Sequence, residues 1–323
     1  MTEPTLPAWE RAVLEKLALK ALDEQRRARQ WSILFKLLWL TFAFLVLAAL
    51  LGWIGRPDAD KISIGKHTAL VELKGVIGVE SKASADKIVS ALNQAFKDKN
   101  TQGVVLRINS PGGSPVKSGY INDEIRRLRG KYPTVPVYAV VQDLCASGGY
   151  YVAVAADKIY VDKASLVGSI GVIMSGFGFT GTMDKLGVER RAYTAGENKD
   201  FLDPFAPENP RHREHAQKML SEIHEQFVKV VKTGRGTRLK ESPEIFSGLI
   251  WTGEKSVELG LADALGSLDY VAREVIKAER VVDFTLEESY FEAISKRLGS
   301  EAGAALARAF ASSVSKELSL GPR

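Results

Sequence analysis

Cysteine is almost absent from these 323 residues: Cys145 stands alone, so no disulfide can close within the chain. A chain this long buries enough surface to fold without one, so its absence does not assign a compartment. Histidine is scarce too, with four residues: His67, His212, His215 and His224. Three share one charged stretch, HREHAQKMLSEIHEQFVKV, which reads as a solvated helix, and no acidic or cysteine ligand completes a metal set. Neither a metal nor a cofactor is expected. A strong charge bias is also missing, since 44 basic against 39 acidic residues leave +5. The basic runs around Arg126–Lys131 and Lys229–Lys240 lack interleaved aromatics, and no nucleic-acid partner is expected. With 45% hydrophobic and 26% charged residues, a disordered or fibrous chain is excluded.

One segment departs from this average. Leu37 to Ile54 reads LLWLTFAFLVLAALLGWI without a charge, about 27 Å of helix against a hydrocarbon core of about 30 Å. Lys36 can snorkel, and Trp39 and Trp53 lie near the ends, where amphipathic rings favour the interface. The run is too long and starts too far in for a cleaved leader, and no small-x-small site follows. Residues 37–55 are therefore expected to anchor the chain in a lipid bilayer. Arg26, Arg27, Arg29 and Lys36 upstream outnumber Arg56, Lys61 and Lys66 downstream. That small bias favours a cytoplasmic N-terminus and a translocated domain. Residues 1–36 then form a charged cytoplasmic helix and 56–66 a linker.

Beyond the linker, strand-like and helix-like stretches alternate. HTALVELKGVIG (67–78), GVVLRI (103–108), VPVYAVVQ (135–142), IYV (159–161) and SIGVIM (169–174) read as strands. SADKIVSALNQAFKD (84–98) opens on a capping serine and has helical spacing at Ile88, Leu92 and Phe96. Helices are also expected over 115–130 and after Gly149. The alternation predicts an α/β domain with a largely parallel sheet over 67–280. Residues 281–323 are expected to be a helical region with a loose tail.

Chemistry concentrates at two turns that follow buried strands, where open α/β sheets place their sites. Asn109-Ser110-Pro111-Gly112-Gly113-Ser114 has adjacent glycines that can present bare N–H groups to a developing oxyanion, though an ordinary tight turn reads the same way. Ser147 lies between Ala146 and Gly148-Gly149 at a helix start, as a nucleophile or as a plain N-cap. No histidine is a convincing base for it, which points to lysine. A lysine base must be neutral, so burial has to lower its pKa from about 10.4 towards about 7–8. Composition does not choose among the lysines.

DLCASGGYYVAVAADKIY with VGSIGVIM resembles the nucleophile region of the signal peptide peptidase A family, and RINSPGGS resembles its oxyanion loop. YTAGENKDFLDPF and FSGLIWTGEKSVELGLADALGS are similar to its later motifs, so the likeness runs from about residue 68 to 275. The resemblance implies a ClpP/crotonase-like fold of repeated ββα units after one transmembrane helix, in the short, single-unit form. It marks Ser147 as nucleophile and Lys199 as general base, with Gly113 and Gly148 offering oxyanion N–H groups and Ser169 bonding the lysine. Asp200 is expected to turn away from the amine, and Cys145 to point away from the site. The implied activity is serine endopeptidase action on peptide substrates such as signal peptides, in a bacterial inner membrane, by a homo-oligomeric ring. In such a ring the lysine could serve a neighbour's serine.

Two other readings compete. One is an inactive membrane scaffold of the same fold, disfavoured because serine, lysine and glycines are all intact. The other is a dinucleotide fold, since Gly176-Phe177-Gly178-Phe179-Thr180-Gly181 fits G-x-G-x-x-G with Glu197 and Asp200 about twenty residues on. A lone match is weak, and the phenylalanines suit an apolar substrate better.

Overall fold

The computed structural model describes residues 8–50, 65–79, 81, 83–240 and 242–286. The chain divides into two compact units, residues 1–62 and 63–323.

The first unit contains helix α1 (Ala8–Leu50) of 43 residues. Within it, Glu24–Val46 is long and apolar enough to cross a membrane by length and composition. Its large apolar side chains lie exposed, Trp39 by 73% and Leu40 by 65%. No break marks residue 36, so the expected charged helix and the start of the expected anchor form one rod. Residues 51–55 of that anchor, and the linker as far as residue 64, lie outside the described residues.

In the second unit β1 (His67–Lys74), α2 (Ala85–Lys97), β2 (Thr101–Ser110), α3 (Pro115–Lys131), β3 (Val137–Ala146), α4 (Gly148–Ala153) and β4 (Lys158–Val161) alternate. β5 (Leu166–Gly168) follows, then α5 (Thr180–Leu186), the long α6 (Pro210–Arg235), β6 (Ile250–Thr252), α7 (Gly253–Glu258), β7 (Ala264–Leu265) and β8 (Val281–Asp283). The main sheet runs β6-β5-β3-β2-β1-β8, with β4 and β7 branching from β3. Every pairing is parallel except β5 with β6.

The strands are apolar on both sides because both faces are covered. Ala69, Val71, Leu73, Val104, Leu106 and Ile108 meet α2 and α3 through Ile88, Leu92, Ile121 and Ile125, all buried. Leu70, Val105 and Val140 meet Val271 and Ile276 from π-helical turns at Val271–Ile276 on the opposite face. At about 25 cal/mol per Å² of apolar surface removed from water, this two-sided burial is the main stabilising term.

β3 uses its long edge twice. Tyr138–Val140 pair with Lys158–Tyr160 of β4, and Leu144–Ala146 pair with Leu166–Gly168 of β5. The carboxyl end of β3 is therefore flanked by β2 on one side and by the end of β5 on the other.

Three expectations change. Ser84 occupies the N-cap of α2, but its hydroxyl makes no capping bond. SIGVIM is not a strand: Ser169 takes φ 52° and turns the chain out of the sheet. The domain does not end at 280, because Val281–Asp283 pair with Thr68–Leu70 and Phe284 N donates to the Leu70 carbonyl at 2.9 Å. Residues 287–323, which hold most of the expected C-terminal helical region and tail, lie outside the described residues.

Candidate active site

Ser147 follows β3 directly, where the chain must leave the sheet and enter α4 within one residue. It does so at φ 52° and ψ −122°, a conformation that L-residues adopt only under constraint. The constraint is visible on both sides. Ser147 N donates to the Gly168 carbonyl at 2.8 Å, and its own carbonyl accepts from Tyr151 N at 2.9 Å. Its hydroxyl makes no hydrogen bond among the described residues and lies half-buried at the tip of the turn.

The glycine loop meets this tip. A Cβ on Gly112 would fall 2.6 Å from Gly148 N and 2.8 Å from Ser147 Cβ, so only glycine allows the approach. Gly113, at φ 148°, would press a Cβ to 2.2 Å from the Ile77 carbonyl. Ile77 braces the loop by donating to the Gly112 carbonyl at 2.8 Å and accepting from Ser114 N at 2.9 Å. That leaves the Gly113 and Gly148 N–H groups without an acceptor among the described residues. They lie close together, since a Cβ on Gly148 would be 3.2 Å from Gly113 N. Two bare donors beside one serine are groups of the kind that can hold a developing oxyanion.

Ser110, which sequence reasoning passed over, sets this loop. Its buried hydroxyl donates to the Gly75 carbonyl at 2.6 Å and accepts from Gly112 N at 3.1 Å. The only signal for it was its place inside the NSPGGS turn.

Ser169 continues β5 one position past Gly168, as Ser147 continues β3 one position past its partner Ala146. The two serines are thus neighbours in register, and both have φ 52°. Ser169 N donates to the Leu249 carbonyl at 2.7 Å. Cys145 is fully buried, and burial pushes its thiol well above the ordinary range, so it takes no part.

Lys199 makes no hydrogen bond to Ser147 or Ser169. It lies exposed on a turn at residues 196–202, within a segment from 173 to 200 that is exposed almost throughout. Its amine makes no hydrogen bond or ion pair among the described residues. The apolar surroundings expected around it are not met among the described residues, because the lysine and its sequence neighbours lie exposed. Asp200 makes no side-chain contact with it either. The histidines are occupied elsewhere. His67 contacts Thr101 at 3.2 Å, His212 contacts Asn198 at 3.2 Å, and His224 Nε2 lies 3.2 Å from the Ile170 carbonyl. His212 is also buried, so α6 is not the wholly solvated helix its charges suggested. Among the described residues, no group of three or more His, Cys, Asp or Glu is placed to hold a metal ion.

Gly176, Gly178 and Gly181 have open space around them; no strand leads directly into the match, and Gly181 already lies inside the seven-residue α5. Phe177 is 81% exposed and Phe179 stacks on Phe205 at 5.4 Å. The strand–turn–helix context a dinucleotide needs is missing here.

Residues 131–282 match the model of peptidase family S49. A protein from Methanocaldococcus jannaschii, named as a candidate protease, is 34% identical over 215 residues, covering 65% of this chain and 68% of that one. A protein of Enterococcus faecium, named as a candidate signal peptide peptidase SppA, is 32% identical over 200 residues, 62% of this chain and 58% of that one. A Brucella melitensis protein named Na(+)/H(+) antiporter NhaA is 47% identical over 177 residues, but the match spans 55% of this chain and only 24% of that protein. The solved structure of the 1510-N membrane-bound stomatin-specific protease is similar at TM-score 0.44 and 14% identity, covering 70% of this chain and 99% of that one. The family match begins at residue 131 and takes in the strained Ser147 turn, Ser169 and the turn of Lys199, and a relative above 30% identity is spanned over two thirds of its length: this chain belongs to peptidase family S49.

Proposed function

We propose that the protein is a membrane-anchored serine endopeptidase in which Ser147 attacks the scissile carbonyl and Lys199 accepts its proton. The observation that carries this reading is the Ser147 turn: a strained serine with a free hydroxyl, beside two N–H groups with no acceptor. In the reaction, the bond from Ser147 Oγ to the carbonyl carbon forms while the Oγ proton passes to Lys199 Nζ. The oxyanion is held by Gly113 and Gly148 N–H. Collapse of the intermediate breaks the peptide bond, and the Lys199 ammonium returns the proton to the leaving amine. Water, losing a proton to the same lysine, then attacks the acyl carbon; the bond to Ser147 Oγ breaks and Lys199 returns the proton to Oγ. Ser169, beside Ser147 in register, is suited to accept a hydrogen bond from the lysine.

The lysine acts on a different copy of the chain. His224 ties α6 to Ile170, one residue past Ser169, while His212 ties the same helix to the Lys199 turn. Twelve positions separate those two histidines, about 18 Å of helix. With its turn tied to the far part of that helix and its side chain exposed, the lysine is available to a neighbour's serine. A ring of copies would complete every site and admit only extended chains. Apolar peptides left in the bilayer, such as cleaved signal peptides, suit the exposed Ile173, Phe177 and Phe179 on the segment that leads to Lys199. The anchor would hold the ring at the inner membrane of a bacterium, with α1 cytoplasmic and the sheet outside.

A fluorophosphonate probe and a fluorogenic apolar peptide test the chemistry. The wild type should be labelled and should hydrolyse the peptide, and Ser147→Ala should do neither. Labelling that persists in Ser147→Ala would assign the nucleophile elsewhere.

A further inference from the structure

The turn that bears Lys199 is gripped by α6. Asn198 Oδ1 accepts from His212 Nε2 at 3.2 Å. The Phe201 ring packs between two imidazoles of α6, 5.3 Å from His212 and 5.6 Å from His215. Inside the turn, Lys199 N donates to the Gly196 carbonyl at 3.1 Å and Phe201 N to the Asn198 carbonyl at 3.2 Å. Residues immediately before and shortly after the lysine are thus fixed, while its side chain stands free. The grip is rigid at its base. His212 is only 7% exposed, in the first turn of a 26-residue helix whose start is capped by Asn209 accepting from Arg211 N at 3.0 Å.

Plain packing is the competing explanation. It accounts for the Phe201 contacts but not for a buried histidine whose ring nitrogen reaches out to an exposed asparagine next to Lys199. An amine on a mobile turn would spend most of its time away from the serine it must deprotonate. A displacement of about 1 Å at a catalytic group can cost on the order of a hundredfold in rate.

We infer that His212 is a positioning residue: through Asn198, and with Phe201 seated between it and His215, it fixes the direction in which Lys199 projects towards the Ser147 of another copy. This rests on the reading of Lys199 as the general base. His212 itself exchanges no proton with substrate.

Full-length protein in detergent micelles, assayed on the fluorogenic peptide, tests the assignment. His212→Leu keeps bulk but removes the donor, Asn198→Ala removes the acceptor from an exposed position with little risk to folding, and His212→Gln restores an N–H donor. His212→Leu and Asn198→Ala should each lower kcat by about tenfold to a hundredfold with KM unchanged. The double variant should be no worse than either alone, because both cut one contact. His212→Gln should recover much of the loss, and the assembly size by sedimentation should not change. Undiminished kcat in Asn198→Ala and His212→Leu, or a loss that appears in KM or assembly size and is not restored by His212→Gln, overturns the inference. Lys199→Arg separates the two levels. If it hydrolyses peptide, the general-base reading fails and the positioning role falls with it. If it is dead while the other variants are fully active, the positioning role alone fails.

Discussion

At the residue scale the candidate site is a problem of backbone conformation before it is one of side chains. Ser147 and Ser169 hold φ 52° because each leaves a strand end with its N–H fastened to a neighbouring carbonyl. Such strain costs about 1–3 kcal/mol per residue and persists only where the surroundings over-determine it. Ser147→Ala should therefore fold as the wild type does and lose several orders of magnitude in hydrolysis. Lys199→Arg should be equally inactive, because a guanidinium does not deprotonate in this pH range. Gly113→Ala sets a methyl group against the Ile77 carbonyl and displaces one oxyanion donor. Its kcat should fall on the order of 100-fold or more, measured on the fluorogenic peptide. Ser110→Ala leaves the Gly75 carbonyl and the Gly112 N–H without their partner. It should cost about 1–3 kcal/mol in chemical denaturation and lower kcat as the loop loosens. If Ser110→Ala is neutral in both measurements, Ile77 alone shapes the loop.

At the scale of elements, the strands and helices around the sheet were legible because their periodicities were clean. The apolar runs of β2 and β3 and the spacing of Ile88, Leu92 and Phe96 on α2 lie where the pattern placed them. SIGVIM was misleading for a physical reason: an apolar β-branched run signals burial in a sheet, but Ser169 turns the backbone before the run begins. The Ser147 and glycine turns could be located in the chain, yet their register could not, since it depends on β3 pairing with β4 and β5 in succession. The choice of Lys199 rests on resemblance alone, because an exposed turn leaves no periodic trace in the sequence.

The junction of α6 with the C-terminal part of the sheet is a further element-scale feature. Arg235, 1% exposed, donates to Asp263 at 2.8 Å and to the Gly260 carbonyl at 2.8 Å, while Asp263 also accepts from Ile159 N at 2.7 Å. Burial alone would raise the Asp263 pKa. The Arg235 hydrogen bond and charge, the Ile159 N–H and Arg238 outweigh it and hold the carboxyl below its ordinary value. A depressed carboxylate stabilises the fold above its unfolded pKa, about 3.9, and that contribution is lost as pH falls through the lower folded value. Asp263→Asn leaves a buried guanidinium unpaired and should cost about 3–5 kcal/mol at neutral pH. Denaturation curves should show that penalty undiminished down to about pH 5 and shrinking only below about pH 4. A penalty that stays constant into strong acid would mean packing, not charge, holds this junction.

At the scale of the whole molecule, three features call for something outside the single chain. α1 carries a row of exposed apolar side chains that a bilayer would cover. The segment from 173 to 200 exposes Ile173, Phe177 and Tyr193, which a neighbouring copy or an apolar peptide would cover. Lys199, the proposed base, lies exposed, whereas a neutral amine calls for apolar surroundings. For the anchor, a phosphatase reporter fused after residue 60 should be active, as expected for an exported domain, and an inactive reporter would put the sheet in the cytoplasm.

The most direct measurement of the central claim, that Ser147 and Lys199 form one hydrolytic site across two copies, is complementation. Ser147→Ala and Lys199→Ala proteins, each inactive, are dissociated, mixed, reassembled and assayed on the fluorogenic peptide. The account predicts that hydrolysis returns, because some junctions then join an intact Ser147 to an intact Lys199. A mixture that assembles fully and stays inactive would contradict it.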